Sequence, residues 1–147
     1  MDQAPARVSL MSQYLFAYGT LQPGCAPPQV AALAARLRPV SEGFVRGVLY
    51  DLGRYPGAVP DARAGARITG TVMELPEDKT ILRQLDDYEG FDPQAPATSE
   101  FVRERQIVEL SDGQKLECWF YRYNGNADGL RPIPDGKWRP RGRPQLT

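Results

Sequence analysis

Apolar and aromatic positions fall in short runs separated by segments dense in glycine and proline. Tyr14-Leu15-Phe16-Ala17-Tyr18 is unbroken and ends at Gly19-Thr20, which predicts a buried strand entering a turn. Gln22 to Pro28 holds three prolines and a glycine and reads as loop. In Gln29 to Arg38, Val30, Leu33, Ala34 and Leu37 share one helical face, predicting a short amphipathic helix. Val40 to Leu52 is rich in β formers, and its Gly43 and Gly47 mark bulges or barrel bends. Gly53 to Ala66, with Tyr55-Pro56-Gly57 and Pro60-Asp61, reads as a long loop.

Ile68 to Leu75 alternates as a strand, and Pro76 suits the first turn of a helix over Glu77 to Tyr88. In that helix Ile81, Leu82, Leu85 and Tyr88 lie on one face. Glu89 to Glu100 is a proline-bearing loop. Phe101 to Leu110 and Lys115 to Tyr123 then pair as a hairpin around Asp112-Gly113, a strong turn signal. From Asn124 the chain is irregular and net basic. About six strands and two helices fit a small single α+β domain whose sheet is strongly bent or closed. The expected organisation is a loose leader over residues 1–13, a domain over 14–138 and a flexible basic tail over 139–147.

Composition narrows the chemistry. The 147 residues include no histidine, which removes histidine-based nucleophile pairs, histidine metal sites and histidine proton shuttles. Acid–base work falls to carboxylates, tyrosine, lysine or cysteine. Eighteen basic residues balance eighteen acidic ones, which argues against a general nucleic-acid or membrane-surface binder. Cys25 and Cys118 stand far apart without zinc spacing and read as free thiols. Met1 to Gln13 lacks the pattern of a signal peptide, and no apolar run approaches the roughly 20 residues of a membrane span. The expected location is the cytoplasm.

Two places break local rules. Tyr18-Gly19-Thr20-Leu21 can present successive backbone N–H groups to an anion, although taken by itself it reads first as the ordinary turn that ends a strand. Leu85-Asp86-Asp87-Tyr88-Glu89-Gly90 crowds three carboxylates at a helix C-terminus, where the macrodipole favours cations. Like charges, with Tyr88 and Phe91 alongside, favour a raised pKa at Glu89; a solvated acidic helix end capped by Gly90 would look the same.

Taken together and in order, these pieces resemble the gamma-glutamylcyclotransferase-like family, which includes gamma-glutamylaminecyclotransferases and the plant avirulence-induced proteins. They are Tyr18-Gly19-Thr20-Leu21 with Pro23-Gly24, Gly47 to Gly53 with Tyr55-Pro56-Gly57-Ala58, and Gly70-Thr71-Val72. Leu85 to Gly90, Phe101-Val102-Arg103, Trp119-Phe120-Tyr121 and Ile133 to Trp138 follow. The resemblance spans Tyr14 to Trp138.

It implies a mixed barrel-like sheet with a cavity at one end and a small γ-glutamyl compound as partner, without cofactor, metal, nucleic acid or membrane. The backbone of Tyr18, Gly19, Thr20 and Leu21 would hold the glutamyl group, Glu89 would be the catalytic carboxylate, and Tyr121 would line the cavity. Phe101 departs from the tyrosine of many relatives, and the Asp92 to Glu100 loop is longer. The implied reaction is intramolecular attack of the α-amine on the γ-amide, releasing 5-oxoproline and an amine or amino acid. Two other readings use the same residues: a non-catalytic binding protein for a γ-glutamyl or amine ligand, and a partner-binding module built on the basic tail around Trp138. Nothing in the sequence fixes an oligomeric state.

Overall fold

Strand alternation and one flexible glycine build the barrel. The structure, a computed structural model, describes residues 12–140. Strand β1 (Tyr14–Ala17) is buried throughout. Its side chains leave on two faces, Tyr14 and Phe16 to one core and Leu15 and Ala17 to another. Strand β2 (Arg38–Asp51) runs antiparallel to β4 (Arg67–Glu74) as far as Arg46, then antiparallel to β3 (Pro56–Pro60) from Gly47. Gly47 makes the change of neighbour possible: its φ is 153°, and a Cβ there would collide with the Val59 carbonyl oxygen and Ile68 Cδ1.

Strand β5 (Phe101–Leu110) and strand β6 (Lys115–Tyr123) form the hairpin around Asp112-Gly113. β6 lies parallel to β1 through Leu15 and Trp119, and parallel to β3 through Ala58 and Arg122. The ring β1-β4-β2-β3-β6 therefore closes on itself as a mixed five-stranded barrel, with β5 outside it and β7 (Arg131–Pro132) extending β2. Phe16 and Phe120 stack at 5.8 Å inside, among Val45, Leu49, Ile68 and Val108. The second core lies under helix α2 (Ile81–Glu89), which contributes Ile81 and Leu85 to it.

Four expectations are corrected. Gln29 to Arg38 is not one helix; a 3₁₀ turn at Pro28–Val30 leads into a single turn, α1 (Ala31–Ala34), and Arg38 already begins β2. Pro39 disfavours helical backbone at Arg38. The segment read as loop over Gly53 to Ala66 contains β3, whose two prolines stand at its ends, where lost N–H donors matter least. Helix α2 starts at Ile81 because Asp78 Oδ1 accepts from both the N–H and the hydroxyl of Thr80, at 2.8 Å each, and holds a turn ahead of it. Within the Glu89 to Glu100 segment the helix continues through Glu89, and a 3₁₀ turn forms at Pro96–Thr98.

With β3 and β7 added, the described residues hold seven strands. No helix among them is long and apolar enough to cross a membrane. The leader over 1–13 and the tail over 139–147 lie mostly outside the described residues.

Candidate functional site

A cavity of about 640 Å³ opens beside the end of β1. The turn after β1, the residues before β3, the C-terminal end of α2, the start of β5 and Trp138 form its walls. Tyr18, Gly19, Thr20, Leu21, Glu89 and Tyr121 all line it.

The turn is closed by the Gln22 N–H, which donates to the Gly19 carbonyl at 3.1 Å. A Cβ at Gly19 would stand 3.0 Å from the Pro56 ring, so the turn and β3 approach too closely for a larger residue. Thr20 Oγ1 and the Tyr88 hydroxyl share a 2.5 Å hydrogen bond, which ties the turn to α2 one residue before Glu89. The Tyr18 hydroxyl donates to the Tyr121 carbonyl at 2.5 Å and accepts the Ala58 N–H at 3.4 Å. It bolts β1 to β6 and β3, and burial pushes its pKa well up, so it stays neutral.

Helix α2 ends in a Schellman motif. Gly90 adopts φ 74° and ψ 33°, Phe91 N–H donates to the Asp86 carbonyl at 2.9 Å, and Gly90 N–H to the Asp87 carbonyl at 3.4 Å. This ending aims two carboxylates one turn apart into different surroundings. Asp86 is 4% exposed; its Oδ1 accepts from Arg103 Nε at 2.7 Å and the Tyr121 hydroxyl at 2.7 Å, and its Oδ2 accepts from Arg103 Nη2 at 3.1 Å.

Glu89 is half-buried on the cavity wall, and no cation or hydrogen-bond donor among the described residues engages it. Burial, followed by the negative charges of Glu100 and Asp86, pushes its pKa from the ordinary 4.5 up to about 8. Glu89 lines the cavity and keeps some accessible surface, so this crowding by protein coexists with access for a ligand.

Sequence reasoning assigned no role to three residues that shape this site. Arg103 is ion-paired with buried Asp86, and a signal existed: alternation along β5 puts it on the face of buried Phe101. Tyr55 donates to Glu100 Oε2 at 2.6 Å, and that hydrogen bond, with burial, pushes the tyrosine up to about 12. Nothing local to either residue predicts that pair, which joins positions 45 apart.

Phe101 packs between Tyr55, at 6.1 Å, and Tyr123, at 5.7 Å. Trp119 lies on the outer side of β6 with Arg103 and Arg105 over its ring, whereas Phe120 is fully buried. Cys25 reaches the cavity rim as a free thiol whose pKa burial raises, a poor setting for a nucleophile.

A family model described as "Gamma-glutamyl cyclotransferase, AIG2-like" matches residues 15–140. The gamma-glutamylcyclotransferase family protein YtfP of Escherichia coli (strain K12) is 33% identical over 90 residues, 61% of this chain and 66% of YtfP. The chain thus matches just under two thirds of that relative's length. The solution structure of ytfP from Escherichia coli superimposes with a TM-score of 0.56 at 26% identity, covering 86% of this chain and 96% of that one. An AIG2-like protein of Mus musculus gives 0.63 at 22% identity, covering 90% and 98%. YkqA from Bacillus subtilis gives 0.64 at 22%, covering 87% of this chain but 40% of its own. The last two likenesses speak to the fold alone, and they agree with the closed mixed barrel. On the match over nearly its whole length, the chain belongs to the gamma-glutamyl cyclotransferase, AIG2-like family.

Proposed function

We propose that the protein is a γ-glutamyl cyclotransferase-type enzyme that converts a γ-glutamyl amide to 5-oxoproline and a free amine or amino acid. One observation carries the reading: an unpaired carboxyl, Glu89, poised near neutral pH on the wall of a cavity large enough for a small ligand. A carboxyl with a pKa of about 8 is matched to an α-ammonium far better than an ordinary glutamate.

In the reaction the substrate folds so that its α-amine faces its own γ-carbonyl. Glu89 takes a proton from the α-ammonium, and the freed nitrogen attacks the γ-carbon. The new N–C bond closes a five-membered ring. Glu89 passes that proton to the departing nitrogen and then takes the second proton from the ring nitrogen of the adduct. The γ-amide C–N bond breaks, and the released amine receives the second proton and leaves as an ammonium. Protons balance within one turnover, without a covalent enzyme intermediate. The intramolecular step is entropically cheap once the folded conformer is held, so positioning supplies much of the acceleration.

Holding falls to the turn after β1, whose backbone N–H groups bind the substrate carboxylate or the developing oxyanion. The Thr20–Tyr88 hydrogen bond keeps that turn in register with Glu89. Tyr121, with its proton committed to Asp86, offers the cavity a fixed wall.

The test is 5-oxoproline release from a panel of γ-glutamyl amines and peptides, with Glu89→Gln alongside. The expected result is release by the native protein and a loss of about 10²- to 10⁴-fold in the variant. Undiminished release by Glu89→Gln removes Glu89 from the mechanism. Saturable binding with no release from any compound supports a ligand-binding protein on the same fold instead.

A further inference from the structure

The charges around the cavity exceed what one γ-glutamyl head needs. Asp87, Glu89 and Glu100 line it, and Arg54 is the one cation among its described lining residues. A γ-glutamyl head brings one α-ammonium and one α-carboxylate. In the proposed reaction the ammonium goes to Glu89, and the carboxylate has the turn N–H groups and Arg54 within the same walls. Two carboxylates remain, facing whatever is attached beyond the γ-amide.

Of these, Glu100 is the one held in place. Its Oε2 accepts the Tyr55 hydroxyl at 2.6 Å, and Tyr55 is itself steadied by the ring of Phe101. Its Oε1 lies over Gly90, 3.9 Å from where a Cβ would stand on that residue, immediately after Glu89 in the chain. The side chain is exposed, and no cation pairs with it among the described residues. A carboxylate fixed at one oxygen and open at the other, next to the reacting group, is built to meet a cation arriving with the substrate.

We propose that Glu100, held by Tyr55, is a specificity-determining residue that selects γ-glutamyl amides whose departing amine carries a second ammonium and no carboxylate. This rests on the cyclotransferase reading of the cavity and deepens it. A diamine-type leaving group satisfies Glu100 and brings no negative charge toward Asp87. A departing amino acid brings a carboxylate into the same acidic wall. A neutral alkylamine leaves Glu100 without a partner.

Three compounds of matched length separate these cases: γ-glutamyl-1,4-diaminobutane, γ-glutamyl-butylamide and γ-glutamyl-4-aminobutyrate. In 5-oxoproline release, kcat/KM should be about fivefold higher for the diaminobutane than for the butylamide compound, the range of a partly exposed ion pair. The aminobutyrate compound should be the poorest. Glu100→Gln should bring the first ratio close to one. Glu100 also acts on Glu89, but that effect is common to all three compounds and cancels in the ratio. Equal kcat/KM for the diaminobutane and butylamide compounds, or a ratio unchanged in Glu100→Gln, overturns the proposal.

If no compound releases 5-oxoproline, the cyclotransferase reading fails, and calorimetric Kd values for the same three compounds decide this one. A preference for the diaminobutane compound that disappears in Glu100→Gln upholds charge selection by the cavity. Equal affinities overturn it.

Discussion

Asp86 and Glu89 stand one helical turn apart on α2 and have opposite lives. Asp86 is buried and receives three hydrogen bonds, two from Arg103 and one from Tyr121. Glu89 faces the cavity with no cation paired to it among the described residues, and its pKa rises to about 8. The same acidic sequence thus supplies a structural anchor and, in the proposed reaction, a proton carrier, and partners alone divide the roles. Asp86 has its oxygens committed to Arg103 and Tyr121, whereas the unpaired Glu89, in crowded surroundings, exchanges protons near neutral pH. The anchor also serves the carrier: Asp86 fixes Tyr121 in the cavity wall, and its negative charge adds to the rise at Glu89.

The comparison breaks most severely at the anchor. Asp86→Ala leaves the Arg103 guanidinium and the Tyr121 hydroxyl without their shared partner in a site where Arg103 is only 17% exposed. Removing one member of such a pair should cost about 3–5 kcal/mol, read as a lower urea midpoint with unchanged slope. A loss below about 1 kcal/mol would place Asp86 among ordinary surface ion pairs.

Glu89→Gln should act in the other direction on stability, by an amount that depends on pH. Below about 4.5 the carboxyl is neutral both folded and unfolded, so the amide changes little. Between about 4.5 and 8 the unfolded chain gives up the proton that the folded chain retains, and the native protein loses stability as pH rises. The variant escapes that loss, so its Tm advantage should grow across this window to about 10–20 °C and then level off. A Tm difference that does not change between pH 4 and pH 8 would contradict the raised pKa.

The smallest effect sharpens the picture of the cavity mouth. Glu100 contributes to the rise at Glu89 after burial does. Glu100→Gln should therefore lower the Glu89 titration midpoint by about half a pH unit, with burial keeping it well above 4.5. A full return to the ordinary value would make Glu100, rather than burial, the main cause.

How much of this was legible in sequence follows from the range of each signal. The Asp112-Gly113 turn and the alternation of Phe101 to Leu110 are local, and both strands of the hairpin form where their pattern puts them. β3 was not legible, because Pro56 and Pro60 suggest loop while the reason they are tolerated, their place at the strand ends, is tertiary. The start of α2 depended on which acceptor Thr80 would choose, and Asp78 two residues earlier won over the helix. At the site, the acidic run Asp86-Asp87-Tyr88-Glu89 marked the region by its conflict with the helix dipole. Which acid would be paired lay in Arg103, 17 residues on, and in Tyr121, 35 residues on. The Tyr55–Glu100 pair had no local trace at all.

The most direct measurement is the titration of the Glu89 side-chain carboxyl by ¹³C NMR, assigned by the loss of its resonance in Glu89→Gln. The account predicts a midpoint near 8. A midpoint near 4.5, the ordinary value, would mean that Glu89 is a solvated carboxylate like any other at a helix end, and the division of roles between it and Asp86 would fall.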